Sequence, residues 1–198
     1  WHMASSSSTN VSPGGEAGIS SVMSSGESLR FFQEHGIFYQ EDPEIGDLVE
    51  SLGNAALTVG GMNNFQPRLE DPRIKTLLDS FSVRFSFTLG SDPGAFYAFT
   101  IETGPDQDNR RLVYMWRRGS RLEFSDGADR ILLKGVRASN GYIQIPYPYL
   151  KRVKLNDVSV RLERGGIMIT HPRLTFQVQE GFAIVYGCER SEQTAKSA

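Results

Sequence analysis

The stretch Phe81-Ser82-Val83-Arg84-Phe85-Ser86-Phe87-Thr88-Leu89 alternates apolar and polar residues without a break. Period two is the mark of a β-strand with one face in a core and the other toward solvent, and no helix sorts these residues onto two faces. Shorter runs of this kind continue to the end of the chain. Strands are expected near 81–89, 95–102, 111–117, 121–125, 130–137, 142–146, 152–155, 157–163, 166–170, 173–179 and 181–187. Turn residues punctuate them: Ser91-Asp92-Pro93-Gly94, Gly104-Pro105-Asp106, Arg118-Gly119-Ser120, Asp126-Gly127, Ser139-Asn140-Gly141, Gly165-Gly166 and Glu180-Gly181. Many short strands at regular spacing argue for an antiparallel sandwich or barrel. No long helix follows a strand, which argues against parallel βαβ units.

Helical signals sit ahead of these strands. Ser24-x-x-Glu27 reads as a capping box before Leu29, Phe32 and His35, with Gly36 as the stop. Asp42-Pro43 and Asp71-Pro72 each pair an N-cap with a first-turn proline, ahead of Ile45, Leu48, Val49 and Leu52 in one case and Ile74, Leu77 and Leu78 in the other. Residues 1–26 are Ser/Gly-rich and begin with what reads as a cloning remnant, Trp1-His2-Met3-Ala4-Ser5; they are expected to be disordered. Residues 27–189 then form a single β-rich domain, and 190–198 a second tail.

Composition narrows the function classes. A net charge of −2 gives no global nucleic-acid signature. The lone Cys188 excludes an internal disulfide framework and suits a reducing compartment. No apolar run approaches the roughly 18 residues of a membrane-spanning helix, and no basic segment leads into an apolar one as in a signal peptide. A cytoplasmic location follows as the expectation.

Charge is unevenly spread. Between Arg110 and Lys154 there are eleven Lys or Arg and three acids, and the remainder is correspondingly acidic. Trp116-Arg117-Arg118-Gly119-Ser120-Arg121 reads as a hairpin tip carrying three guanidinium groups. Tyr147-Pro148-Tyr149 next to Lys151 and Arg152 reads as a rigid aromatic and basic surface. The candidate ligand-binding residues are therefore Arg117, Arg118, Arg121, Trp116, Tyr147, Tyr149, Lys151 and Arg152. The competing reading is a solvated basic face paired with the acidic remainder.

Other constellations carry less. Asp106-Gln107-Asp108-Asn109 offers oxygen ligands but lacks the glycine and distal glutamate of a calcium loop, so it reads as a polar loop. His35, His171 and Cys188 are scattered without zinc spacing. No nucleophile elbow, Walker loop or dinucleotide fingerprint occurs. No catalytic residue, metal site or cofactor is indicated.

The runs Phe81–Phe85, Arg121–Phe124, Asp157–Val160 and Gly165–Ile169 resemble the jelly-roll sandwiches of the concanavalin and laminin-G type. The Trp that usually opens the later strand is absent, with Leu155 or Val158 in its region. The resemblance implies sugar or protein binding without catalysis. Arg117-x-x-x-Arg121 with Asp157-x-Ser159 resembles the cyclic-dinucleotide pattern of PilZ domains, though Leu162 replaces the glycine. Ile145-Pro146-Tyr147 resembles a PH-like barrel, the alternative architecture. The expectation is a mainly β, antiparallel, jelly-roll-like sandwich with two or three short helices in front. It would serve as a non-catalytic recognition module for a glycan, an anionic ligand or a protein. A subunit that self-associates through its sheet edges is the alternative.

Overall fold

The computed structural model describes residues 23–191, so most of both expected tails lies outside the described residues. The first elements among the described residues are helix α1 (Ser25–His35), strand β1 (Ile37–Glu41) and helix α2 (Pro43–Leu52). Two 3₁₀ turns lead to α3 (Gln66–Leu69) and α4 (Pro72–Leu78). The strands β2 (Phe81–Gly90) and β3 (Phe96–Ala98) precede a one-turn helix, α5 (Pro105–Asp108). Next come β4 (Arg110–Trp116), β5 (Ser120–Asp126), β6 (Val136–Arg137) and β7 (Ile143–Ile145). Helix α6 (Tyr147–Arg152) is followed by β8 (Asn156–Leu162), β9 (Gly166–Thr170), β10 (Thr175–Glu180) and β11 (Phe182–Arg190).

The strands form two antiparallel sheets, ordered β1-β9-β4-β11-β2 and β6-β7-β3-β10-β5-β8. The sandwich reading stands, and the closed PH-like barrel does not. Burial explains the differing strand patterns. Strands β4 and β9 sit inside the first sheet, between the second sheet and the helices, so Leu112–Trp116 and Ile167–Ile169 are buried on both faces. Such strands read as continuous apolar runs. Strand β2 is an edge, and its inward Phe81, Val83, Phe85 and Phe87 are only half-buried while Leu89 is buried. Strand β8, the opposite kind of edge, alternates buried Val158, Val160 and Leu162 with residues facing out.

Aromatic rings fill the space between the sheets. Phe176 of β10 pairs in register with Tyr97 of β3. Tyr114 meets Phe176 edge-on at 5.5 Å, and its hydroxyl lies 3.2 Å from that of Tyr142. Tyr142 in turn receives Phe87, Tyr97 and Phe99 at 5.7, 6.2 and 5.9 Å.

The helix starts match their signals. Ser24 and Glu27 close the capping box, and Asp42 caps α2 through the Glu44 and Ile45 N–H groups. Several expected strands do not form. Residues 152–155 hold the last residue of α6 and the turn after it, because Pro148 presets the first helical turn. Of 130–137 only Val136–Arg137 is strand. There the Arg173 side chain takes the carbonyls of Asp129 and Ile131, acceptors that a ladder would otherwise use. The expected polar loop at 106–109 contains α5.

Candidate functional site

One end of the sandwich gathers residues from segments far apart in sequence. Gly36, in the left-handed region at φ 68°, ends α1 by donating its N–H to the Phe32 carbonyl at 2.8 Å. Its own carbonyl accepts the His171 N–H at 2.8 Å, tying the turn between β9 and β10 to the helix end. A Cβ at Gly36 would lie 2.9 Å from the Asp129 carboxyl carbon, so the glycine lets that carboxylate rest against the backbone. Helix α5 brings Gln107 and Asp108, and the start of β4 brings Arg111. Together they line a cavity of about 440 Å³ with Phe32, Asp129, Arg130, His171 and Arg173.

The hydrogen bonds of these groups are incomplete. Seven buried side-chain polar atoms lack a partner among the described residues. Four of the seven belong to residues lining this cavity: Gln107 Oε1, Arg111 Nε, Asp129 Oδ1 and Arg173 Nε. Buried polar atoms are nearly always paired, so such a concentration sets this end of the sandwich apart from the rest of the interior.

Both arginines are held rigidly by their other atoms. Arg173 is 7% exposed and donates from Nη1 to the Asp129 carbonyl at 2.6 Å and from Nη2 to that of Ile131. The Arg111 guanidinium lies 4.6 Å from the Phe32 ring centre and 4.9 Å from that of Phe81. Its Nη1 donates to the Asp108 and Arg110 carbonyls at 2.9 and 2.7 Å. Burial, then the Arg190 charge, pushes the Arg111 pKa down to about 10. Burial also raises that of Asp129.

His171 is the neutral member. Its Nδ1 accepts the Arg173 N–H at 3.2 Å, which places the imidazole proton on Nε2, 3.5 Å from Asp108 Oδ1. Burial, then the Arg111 charge, drives its pKa down to about 4 despite Asp108. The Asp108 carboxylate itself is 79% exposed at the cavity mouth.

The residues singled out from sequence fall in separate places, although Lys151 lies 5.0 Å from the Tyr147 ring centre on α6. Trp116 is fully buried and stacks on Tyr114 at 5.9 Å. The three arginines of the hairpin point apart. Arg118 pairs with Asp47 of α2, Arg121 with Glu180 of β10 at 2.6 Å, and Arg117 is exposed. Tyr147 stacks on Phe96 at 5.1 Å, and Lys151 bonds Asp157 at 2.8 Å. The Tyr149 hydroxyl donates to the Leu132 carbonyl, and Arg152 is exposed. Intramolecular pairing of the basic segment with the acidic remainder is thus what several of these cations do. The convergent groups, Arg111, His171 and Arg173, carried no motif. The available signal was the His171-Pro172-Arg173 step between the apolar-rich runs of β9 and β10.

No family model matches the chain, and no curated protein sequence does either. Solved structures do resemble it. HygX from Streptomyces hygroscopicus, solved with nickel and 2-oxoglutarate bound, aligns at a TM-score of 0.52 and 11% identity over 84% of this chain and 86% of its own. AviO1 from Streptomyces viridochromogenes Tue57 aligns at 0.55 and 10% identity over 87% and 98%. SnoK, a non-heme alpha-ketoglutarate-dependent carbocyclase from nogalamycin biosynthesis, aligns at 0.52 and 12% identity over 89% and 88%. At such identity the likeness shows the fold. It also corrects the functional expectation. HygX binds a metal and an oxo acid, and SnoK is an enzyme, so neither the glycan- or protein-binding module nor the self-assembling subunit finds support in them.

Non-heme iron and related ions take two imidazoles and a carboxylate. Among the described residues no group of three or more His, Cys, Asp or Glu side chains is placed to hold a metal. His35 Nδ1 is engaged by Asp126 at 2.9 Å, and His171 faces Asp108. Between the sheets stand tyrosine and phenylalanine rings. The described residues do not fit such a centre.

Proposed function

We propose that the protein is an enzyme acting by proton transfer on a small carboxylic acid bound in the cavity at the end of the sandwich. The observation that carries this reading is the meeting of two arginines, Arg111 and Arg173, with His171 and Asp108 around one cavity. Charge-assisted hydrogen bonds from guanidinium to carboxylate are the strong ones, and Arg111 and Arg173 are already immobilised for them. Asp108 is the group exposed at the mouth that can accept a proton. His171, kept uncharged, offers its Nε2–H to hold that carboxylate or to polarise a substrate oxygen, as a neutral imidazole can. A proton leaving a substrate carbon would pass to Asp108 and return from it, so the step needs no oxidant or reductant. A cavity of convergent polar groups with a perturbed pKa is the physical profile of an active site. The fold neighbours that are enzymes lend this reading weight.

The test is proton exchange in D₂O, followed by NMR, on a panel of two- to four-carbon carboxylic acids. Loss of a carbon-bound proton signal is expected for a member of the panel, unchanged by EDTA and abolished by Asp108→Asn. Exchange by no acid, exchange that survives Asp108→Asn, or exchange that EDTA stops would each overturn the proposal.

A further inference from the structure

Four large apolar side chains are exposed among the described residues: Val59, Leu132, Val136 and Tyr147. Three of the four fall on one piece of chain that runs through β6, β7 and the start of α6. Single exposed apolar residues are ordinary on a protein surface, whereas a concentration of them marks a contact site.

These segments form one cap. Leu133, Ile143, Ile145 and Leu150 are buried in one cluster with Phe96, and Ile131 and Tyr149 pack against it. The Tyr149 hydroxyl donates to the Leu132 carbonyl, which fastens α6 to the stretch ahead of β6. Burial alternates along that stretch. Leu133 is buried, and a Cβ at Gly135 would lie 2.6 Å from the Ile143 side chain. Leu132, Lys134 and Val136 are exposed, the two apolar residues at 67% and 66%.

The charge of the cap has one sign. From residue 130 to residue 156 there are six Lys or Arg and no Asp or Glu. Lys151 is held by Asp157. Lys134, Arg137, Arg152 and Lys154 are exposed and form no ion pair among the described residues. Such a surface suits a polyanion that also offers an apolar layer. A nucleic acid would need open aromatic faces on which to stack its bases. Tyr147 does not offer them, because its ring is stacked on Phe96 at 5.1 Å and also carries the Lys151 ammonium. Exposed leucine and valine beside cations instead match the boundary between lipid headgroups and acyl chains.

We infer that this cap docks the protein on a lipid surface rich in anionic headgroups. Leu132 and Val136 enter the headgroup–acyl boundary, and Lys134, Arg137, Arg152 and Lys154 meet the headgroup charges. The inference is independent of the reaction proposed for the end cavity.

Co-sedimentation of the full chain with vesicles tests it. Vesicles of about one part phosphatidylserine to three parts phosphatidylcholine should retain the protein at roughly 0.1 M salt and release it at roughly 0.5 M. Vesicles of phosphatidylcholine alone should bind it about tenfold more weakly. Leu132→Ser with Val136→Ser, and separately Arg152→Gln with Lys154→Gln, should each weaken binding to the mixed vesicles about tenfold. All four side chains are exposed, and an unchanged melting temperature reports that these variants fold. Val59→Ser, at the exposed apolar residue outside the cap, should bind as the unmodified protein does. Failure to bind the mixed vesicles would overturn the inference, as would equal binding to phosphatidylcholine alone or an equal loss in Val59→Ser. Retention by oligothymidylate or polyglutamate in place of the vesicles would overturn it in favour of a nucleic acid or an acidic protein.

Discussion

His171 makes stability depend on pH in a window that can be isolated. Its pKa falls from the usual 6.5 to about 4 in the folded protein, through burial first and the Arg111 charge second. The unfolded chain binds a proton at this position below about pH 6.5, whereas the folded chain resists until about pH 4, so stability falls as pH drops between those values. Above pH 6.5 both states are neutral and the residue contributes no slope. One pKa unit corresponds to about 1.4 kcal/mol, which sets an upper bound of roughly 3 kcal/mol across the window. The facing charges are Asp108, Arg111 and Arg173, and Asp108 is 79% exposed, so water at the mouth screens part of this. About 2 kcal/mol is the expected figure. The perturbation is His171→Asn, whose amide oxygen can still accept the Arg173 N–H but which does not titrate. Urea unfolding of both proteins at pH 7.5, 6.0 and 4.5 gives a difference in which the other titrating groups cancel. The unmodified protein should lose about 2 kcal/mol relative to the variant between pH 7.5 and pH 4.5. A difference that stays flat, or that grows in the opposite direction, would refute the assignment of a buried neutral imidazole.

The inter-sheet hydroxyl pair offers an asymmetric test, because Tyr114 has Thr170 as a further partner while Tyr142 has Tyr114. Tyr114→Phe should therefore cost about 1–2 kcal/mol in urea unfolding and Tyr142→Phe less, with the double variant no worse than Tyr114→Phe alone; equal single costs that simply add would contradict the pairing. At Gly46 of α2 a Cβ would lie 2.3 Å from the Arg164 carbonyl oxygen, so Gly46→Ala should lower stability by about 2 kcal/mol, and an unchanged urea midpoint would show that the helix is not seated there.

The sheets were largely legible because burial on one face or two leaves different traces in sequence. Phe81–Leu89 alternates since β2 is an edge strand with one inner face, and the unbroken apolar runs of β4 and β9 mark strands covered on both sides. The misread segments are those where a side chain or a proline competes with the ladder: Arg173 captures the carbonyls of Asp129 and Ile131, and Pro148 turns the Tyr147 region into helix. Cationic density misled in another way. Arg118 and Arg121 lie three residues apart, yet the outward reach of two long side chains takes one to Asp47 and the other to Glu180. Local sequence reports which residues are charged, and only the fold reports which charge is nearest.

The cavity was illegible for the converse reason. Gly36, Gln107, Asp108, Arg111, Asp129, His171 and Arg173 come from the end of a helix, a single helical turn, a strand start, a 3₁₀ turn and a bend between strands. No two of these segments share a motif, and their meeting is a product of strand order. Strand β9 lies between β1 and β4, so the His171 bend emerges beside the end of α1 on one flank and the start of β4 on the other. The same arrangement explains why the chemistry sits at the end of the sandwich. The space between the sheets is closed by the rings of Tyr97, Phe99, Tyr114, Tyr142 and Phe176, and no metal-holding group of His, Cys, Asp or Glu occurs among the described residues. Removing those rings to admit a cofactor would cost several kcal/mol each. The end cavity is instead lined by Gln107, Asp108, Arg111, Arg130, His171 and Arg173, so polar chemistry is available there and not between the sheets.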